Sequence, residues 1–306
     1  MATANTHLAV PLNITGNTTP EQNALFKQFL GDAAQGAWQF AMEKLDQHTA
    51  NVVLEGRERL RTEIRESFME IIKRHAISDH YKAEEVRSTS VYPERYRFRP
   101  VEAQVTMLRK YFPQLGDCME RMGRRQLPEG AEGWFAIPRW QAIADSYSEA
   151  VGQVLAVVEQ QRKFANQVAG KVGTAFLRET DRAARAKEIL GEQQAGNDIL
   201  VVAAQLGILH RGKSARRTRV VMKANEYGLG TFAVGCILLT HPERLSHCDS
   251  LMIDCCGDEY SLTGSGVYDR VPLFDYDLSG LQFSVFYHDR ARPQWGSPTA
   301  FLFQHT

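Results

Sequence analysis

The residues best able to do chemistry are concentrated in one basic segment of the chain. The stretch 206–225 contains no acidic residue and six lysine and arginine side chains. These six cations are Arg211, Lys213, Arg216, Arg217, Arg219 and Lys223. Clustered cations attract the phosphates of nucleic acids, and such contacts make the affinity fall steeply with salt. The segment therefore predicts a site that contacts DNA or RNA.

A helix is expected to present part of this charge. Ser214 is a favourable N-cap, and we predict a helix over 215–227. In that helix Arg216, Arg219 and Lys223 share a face, because they are three and four residues apart. The match to a helix-turn-helix motif is partial, since the turn before this helix is longer than the usual three or four residues.

An acidic segment further along the chain is the alternative partner for these cations. The stretch 249–289 holds eight acidic side chains and a single basic one, Arg270. The eight acids are Asp249, Asp254, Asp258, Glu259, Asp269, Asp275, Asp277 and Asp289. If the two segments pair with each other, the cations are not available to a nucleic acid. Both hypotheses stay open from the sequence.

The acidic segment is also a candidate for a metal site. Carboxylates and histidine, here including His288, are ligand types for metal ions. No EF-hand loop or two-histidine-one-carboxylate spacing is present. Asp275 and Asp277 would lie on one side of a strand, which could bring two carboxylates together. The same spacing is also expected for charged side chains that face solvent on an edge strand and prevent aggregation. We therefore expect no metal ion and no cofactor.

Two adjacent cysteines raise the hypothesis of a cysteine-dependent hydrolase or transferase. Cys255 and Cys256 follow Asp254, and His241 and His247 are near in sequence. A thiol nucleophile needs a base within hydrogen-bond distance, which sequence proximity does not provide. We favour small apolar residues in a β core, and so a protein that is not an enzyme. The five cysteines form no C-x-x-C pair, which is typical of reduced thiols in a cytoplasmic protein.

A run of aromatic residues is the remaining candidate site. Trp134, Phe135 and Trp140 lie within seven residues of one another. Tryptophan is frequent at the centre of protein–protein interfaces, so we predict a partner interface here. The alternative is that the run packs into the core between two long helices.

The elements that must position these sites are predicted to be mainly helices. Apolar periodicity predicts long helical regions over 33–75 and 139–191, the first divided at Gly56. The charged stretch 179–188 is predicted to be a solvated face. We also predict a helix over 199–209, because its alanines favour helices.

Strands are expected only near the C-terminal end. The stretches 273–276 and 281–287 flank a turn-rich link, which predicts a β-hairpin. The expected fold is thus mainly α with a small C-terminal antiparallel β portion. In this fold, residues 1–19 are a mobile N-terminal tail and 20–197 form an elongated long-helix bundle. Residues 198–306 form a compact α+β domain with the basic helix and the acidic β segment.

The composition limits the classes of function. The chain has 306 residues with 36 basic and 36 acidic side chains, so its formal net charge is zero. This balance argues against a protein that is basic throughout, and no apolar run is long enough to cross a bilayer. We expect a cytoplasmic binding protein without a membrane partner. It would contact itself or another protein through its helices and nucleic acid through the basic helix, and an assembly protein without nucleic acid is the alternative.

Overall fold

The computed structural model describes residues 45–60, 62–64, 66–67 and 81–302, together with isolated residues between 24 and 39. The chain divides into two compact units, Met1–His80 and Tyr81–Thr306. The predicted tail 1–19 lies outside the described residues. So do Trp38 and Met42, which belong to the apolar stripe predicted for the first helical region.

The first unit contains a short helix, α1 (Gln47–Glu55). The Asp46 carboxylate accepts a hydrogen bond from the backbone N–H of Thr49 at 2.8 Å, which caps the first turn of this helix. Gly56 follows as a turn residue, with helical residues again at 57–60. A glycine lowers helix stability at this point, in agreement with the predicted division of the helical region at Gly56.

The second unit mixes helices and strands along its whole length. Its helices are α2 (Val101–Tyr111), α3 (Tyr147–Gln161), α4 (Asp181–Gln193), α5 (Ala215–Val221) and α6 (Thr231–Thr240). Its strands are β1 (Gly133–Pro138), β2 (Phe164–Asn166), β3 (Leu177–Glu179), β4 (Ile199–Gln205), β5 (Glu226–Gly228), β6 (Met252–Asp254), β7 (Asp258–Tyr260), β8 (Arg270–Asp277), β9 (Gly280–Tyr287), β10 (Trp295–Gly296) and β11 (Thr299–Phe301).

These strands form two sheets. The first has four strands in the order β1-β4-β11-β5, and all its neighbours are antiparallel. The second has seven strands, with β8 paired to β6, β7 and β9 near its centre. In the first sheet Ile137 of β1 lies opposite Leu200 of β4, so strands from both sides of the boundary predicted at residues 197 and 198 pair directly.

Helix α6 lies in the centre of the core. Its sequence, TFAVGCILLT, contains no charged residue, and all ten of its side chains are buried. It packs against α3 and against β1 of the four-stranded sheet. A helix that is apolar on every side is a core helix in a globular protein, and this one is short. In the described parts of the chain, no helix has both the length and the apolar composition that crossing a membrane requires.

The prediction of a mainly α fold is wrong, because two multi-stranded sheets make this an α+β structure. The stretch predicted as a helix over 199–209 contains β4, in which all seven residues are buried. A strand covered on both faces reads as a continuous apolar run without alternation. Periodicity cannot distinguish such a strand from a buried helix.

The long helical region predicted over 139–191 is also wrong in its middle part. Helix α3 ends at Gln161, β2 and β3 follow, and α4 begins only at Asp181. Gly170 adopts a φ of 77°, a left-handed conformation that does not continue a helix. Val168 and Phe176, which lie within this predicted helical region, instead contribute to the core from the loops on either side of Gly170.

Local signals were more reliable. The Ser214 side chain accepts a hydrogen bond from the backbone N–H of Arg217 at 2.9 Å, which confirms the predicted N-cap of α5. The helix ends at Val221, however, six residues before the predicted end at 227. The hairpin is confirmed by β8 and β9, with Asp277 opposite Gly280 at the turn.

Candidate functional site

The two central cations of the basic segment, Arg216 and Arg217, form ion pairs with glutamates from a preceding turn. Arg216 forms an ion pair with Glu84, and its guanidinium also lies 3.8 Å from the Asp289 carboxylate. Arg217 is buried and its Nε lies 2.5 Å from the Glu85 carboxylate. Glu84 and Glu85 lie outside the stretch 249–289, so the sequence did not identify the main partners of Arg216 and Arg217. The acidic segment contributes longer ion pairs, from Asp289 to Arg216 at 3.8 Å and from Glu259 to Arg219 at 3.6 Å.

Arg219 and Lys223 also have partners for their charged groups. Arg219 donates from Nε to the Cys256 carbonyl at 2.9 Å and from Nη2 to the Asp258 carbonyl at 2.5 Å. The Lys223 ammonium lies 2.9 Å from Glu129 in an exposed pair.

The two cations at the start of the segment, Arg211 and Lys213, lie before α5. Arg211 donates to the Ser90 carbonyl at 3.0 Å. Lys213 is half-buried, and its backbone forms an isolated antiparallel β-bridge with the backbone of Glu85. Because Arg216 and Arg217 already bind carboxylates, a phosphate would have to compete with these groups. Nucleic-acid contact by the segment stays a prediction.

The aromatic run belongs mainly to the four-stranded sheet. Trp134 and Phe135 lie in β1 and are 8% and 0% exposed, and the Trp134 Nε1 donates to the Arg125 carbonyl at 3.0 Å. Trp140 is half-buried and makes an edge contact with Tyr147, with ring centroids 6.4 Å apart. This burial favours core packing over the predicted partner interface, which stays untested.

The residues proposed for cysteine chemistry do not assemble into a nucleophile and a base. Burial raises the pKa of the Cys255 thiol well above its ordinary value. The His241 Nε2 accepts from the Arg99 backbone N–H at 3.1 Å, and its Nδ1 is bonded to Thr240 Oγ1 at 2.9 Å. Burial also lowers the pKa of His241 to about 4. Among the described residues, no histidine forms a hydrogen bond with the Cys255 thiol.

A cavity beside α4 is the candidate functional site. It has a volume of about 140 Å³ and is enclosed by the four-stranded sheet, α4 and the first turn of α6. Its apolar lining comes from Ile137, Leu190, Leu200, Val202, Tyr227, Leu229, Phe232 and Ala233. Cavities with an apolar lining and a few convergent polar groups are the usual form of small-molecule sites.

Strand pairing explains why the apolar side chains converge on the cavity. Ile137 of β1 lies directly opposite Leu200 of β4, and Val202 lies two residues further along the same strand. Opposed residues and residues two apart share a face of a sheet, so these three side chains form one continuous wall. Gln141 and Glu188, which also line the cavity, are exposed and mark its mouth.

The polar group of the cavity is an ion pair. Lys187 of α4 binds the carboxylate of Glu179, the last residue of β3, and their side chains are 17% and 10% exposed. The prediction that 179–188 forms a solvated face is therefore wrong for this pair. An ammonium group has three hydrogen-bond donors. Among the described residues, Glu179 is the only acceptor hydrogen-bonded to Lys187, so two donors stay available to a ligand.

A buried polar network continues behind this pair. The Lys187 ammonium lies 5.2 Å from the ring centroid of Tyr147. The Tyr147 hydroxyl donates to Asp258, whose carboxylate also accepts from the backbone N–H of Thr231 at 2.6 Å, at the start of α6. Burial, together with the nearby Glu179 charge, raises the pKa of Asp258 to about 6.

No pattern in the sequence indicated this cavity. Its lining residues extend from position 137 to 233, and strand pairing and helix packing alone bring them together. One local signal was present. Glu179 and Lys187 lie on either side of the Thr180 cap, whose side chain accepts from the Ala183 backbone N–H at 3.3 Å. A helix that starts right after an acidic residue can fold a lysine of its second turn back towards that residue.

Comparison with known proteins identifies no family for this chain. No protein-family model, no curated protein and no solved structure matches the chain.

Proposed function

We propose that this chain is a binding protein for a small molecule with an apolar body and one polar group, which it holds in the cavity beside α4. The observation that supports the proposal is the largely buried Lys187–Glu179 pair at the wall of an apolar cavity. A charged side chain is rarely buried without a structural or functional reason. Here it faces a space that a ligand could occupy.

The dimensions of the cavity indicate the size of the ligand. An apolar cavity of roughly 150 Å³ accommodates a benzene ring, and the volume here is about 140 Å³. The ligand is therefore about the size of one substituted ring or a short branched chain. Larger molecules would have to extend through the mouth, past Gln141 and Glu188.

The ion pair indicates the chemistry of the polar group. Lys187 can donate to a carbonyl or hydroxyl oxygen, while Glu179 can accept from an N–H or O–H group. A primary amide satisfies both at once. Benzamide therefore combines the expected ring and polar group and is a suitable probe.

The nucleic-acid and assembly functions stay untested and have less support. Arg216, Arg217 and Arg219 are already paired or hydrogen-bonded within the chain. A DNA or RNA ligand would depend mainly on exposed Lys223 and half-buried Lys213. A second copy or another protein as partner, and a cytoplasmic location, likewise stay predictions.

The test is a titration with benzamide, using toluene as a probe without a polar group. We expect benzamide to bind and to raise the melting temperature, and toluene to bind more weakly. In A184L, a leucine side chain at the cavity wall should fill the space and abolish binding. In K187M, the loss of the ammonium should reduce the preference for benzamide over toluene.

The matched control is R185L, which adds the same leucine on an exposed position of the same helix. It should bind benzamide like the wild type. If neither probe binds the wild type, or if A184L binds as well as R185L, the cavity is not a ligand site and the proposal fails.

A further inference from the structure

A second polar site lies on one face of the seven-stranded sheet, apart from the cavity. Asp254 of β6 lies opposite Leu273 of β8, and Asp275 follows two residues later in β8. Residues two apart on a strand share a face, so the two aspartates are diagonal neighbours with Cβ atoms about 7–8 Å apart. Ile253 and Phe274, on the other face, pack into the core.

The carboxylates of this face have unused hydrogen-bonding capacity. Asp254 is only 6% exposed, yet none of the described residues donates a hydrogen bond to its carboxylate. The Asp275 Oδ1 is buried and has no hydrogen-bond partner among the described residues either. Buried polar atoms are nearly always hydrogen-bonded, so the unpartnered Asp275 Oδ1 beside the Asp254 carboxylate requires an explanation. Burial raises the pKa of Asp254 to about 7 and that of Asp275 to about 6, as expected for carboxyl groups without donors.

An arginine with free donors lies on the same face as both carboxylates, over Phe286, which is opposite Val271 of β8. The Arg292 guanidinium stacks on the Phe286 ring, with its Cζ 3.6 Å from the ring centroid. Its charge acts on both Asp254 and Asp275. Within the part of the chain that the structure describes, no group accepts a hydrogen bond from this guanidinium. Stacking fixes the plane of the guanidinium and leaves its edge donors available.

The other charged groups near this face are already engaged. Arg219 acts on Asp254, but its donors are bound to the Cys256 and Asp258 carbonyls. Asp277 acts on Asp275, but its carboxylate accepts from the Ser279 backbone N–H at 2.7 Å. The free groups are therefore two carboxylates and one guanidinium.

We propose that Asp254, Asp275 and Arg292 form a binding site for a small molecule that carries both an ammonium and a carboxylate group, such as a free amino acid. The planar guanidinium matches a ligand carboxylate, and the two aspartates match the N–H donors of an ammonium group. A simple anion would meet the two aspartates, and a simple cation would meet Arg292. Asp275 and Arg292 are half-buried, so the site can be reached from solvent.

The experiment is calorimetric titration of the full chain with glycine and L-lysine, and with acetate and methylamine as single-charge probes. We expect at least one amino acid to bind more tightly than both single-charge probes. R292M and D275N should each weaken that binding by about tenfold or more, because each removes a charged contact. R290M is the matched control, since exposed Arg290 has only the distant Asp289 carboxylate, at 3.8 Å, as its ion-pair partner among the described residues.

Three outcomes would overturn the proposal. One is the absence of binding by both amino acids at millimolar concentrations. Another is acetate or methylamine binding as tightly as the amino acids, which would indicate a simple ion site. The third is unchanged affinity in both R292M and D275N, with circular dichroism confirming that the variants fold. The cavity is not involved in these measurements, so failure here leaves the benzamide titration unaffected.

Discussion

The basic segment and the cavity beside α4 differ in how the hydrogen-bond donors of their cations are used. In the basic segment, the buried Arg217 guanidinium has the Glu85 carboxylate as its ion-pair partner. At the cavity, the Lys187 ammonium forms one hydrogen bond, to Glu179, and the Lys187 side chain lines an apolar space. The sequence draws attention to the first region because its charges are clustered. The structure indicates the second region, because the Lys187 ammonium there has N–H donors without an acceptor among the described residues.

The difference shows that the density of charge in a sequence is a weak guide to a site. A cation whose donors are all bound within the protein contributes to stability, and a ligand gains little from it. A buried cation with unused donors contributes more to ligand binding, because a hydrogen bond formed away from water is stronger.

The largest expected effect is the loss of stability on removing a buried cation of the basic segment. R217M should lower the free energy of unfolding by about 2 to 4 kcal/mol, because it leaves the Glu85 carboxylate without its partner. Urea denaturation followed by circular dichroism measures this change. A loss well under about 1 kcal/mol would mean that the segment is held less firmly than described.

A smaller effect is expected from the pH dependence of the network behind the cavity. The pKa of Asp258 is raised from 3.8 to about 6, so between these values the unfolded chain has released the proton that the folded chain retains. Stability should therefore fall as pH rises from about 4 to about 6, by up to roughly 3 kcal/mol from this group. In D258N this part of the pH dependence should disappear. Equal slopes in both proteins over that range would contradict the assignment.

Retention on heparin tests whether the basic segment is available to an anionic polymer. With its arginines paired internally, the chain should be retained weakly at about 50 mM salt, and charge reversal at Arg216 and Arg219 should reduce folding more than retention. Strong, salt-sensitive retention that is lost in folded reversal variants would instead support the nucleic-acid hypothesis.

The smallest effect is expected at the exposed end of the segment. K223M should leave stability unchanged within error, because the pair between Lys223 and Glu129 is open to solvent. The same urea denaturation as for R217M applies. A destabilisation comparable with that of R217M would remove the distinction between buried and exposed cations in this segment.

Part of the fold could be predicted from the sequence because it depends on local chemistry. The Ser214 cap and the β8–β9 hairpin depend on residues close together in the chain, and both were identified correctly. Strand β4 could not be predicted, because burial on both faces removes the alternation that marks a strand. The loss of that one strand assignment also hid the four-stranded sheet.

The candidate sites were harder to predict because they depend on contacts distant in the chain. Glu84 and Glu85 lie about 130 residues before the arginines they bind, so no local pattern favoured them over the acids of 249–289. The charged stretch around Lys187 resembled a solvated surface. Only the packing of α4 against the four-stranded sheet turns part of that surface towards the cavity.

The most direct test of the cavity as a ligand site is an experimental structure of the chain with benzamide. The ring should lie against Leu200, Val202 and Phe232, with the amide carbonyl accepting a hydrogen bond from the Lys187 ammonium and the amide N–H groups directed at Glu179. An empty cavity at saturating benzamide, or benzamide bound only elsewhere on the surface, would contradict the account.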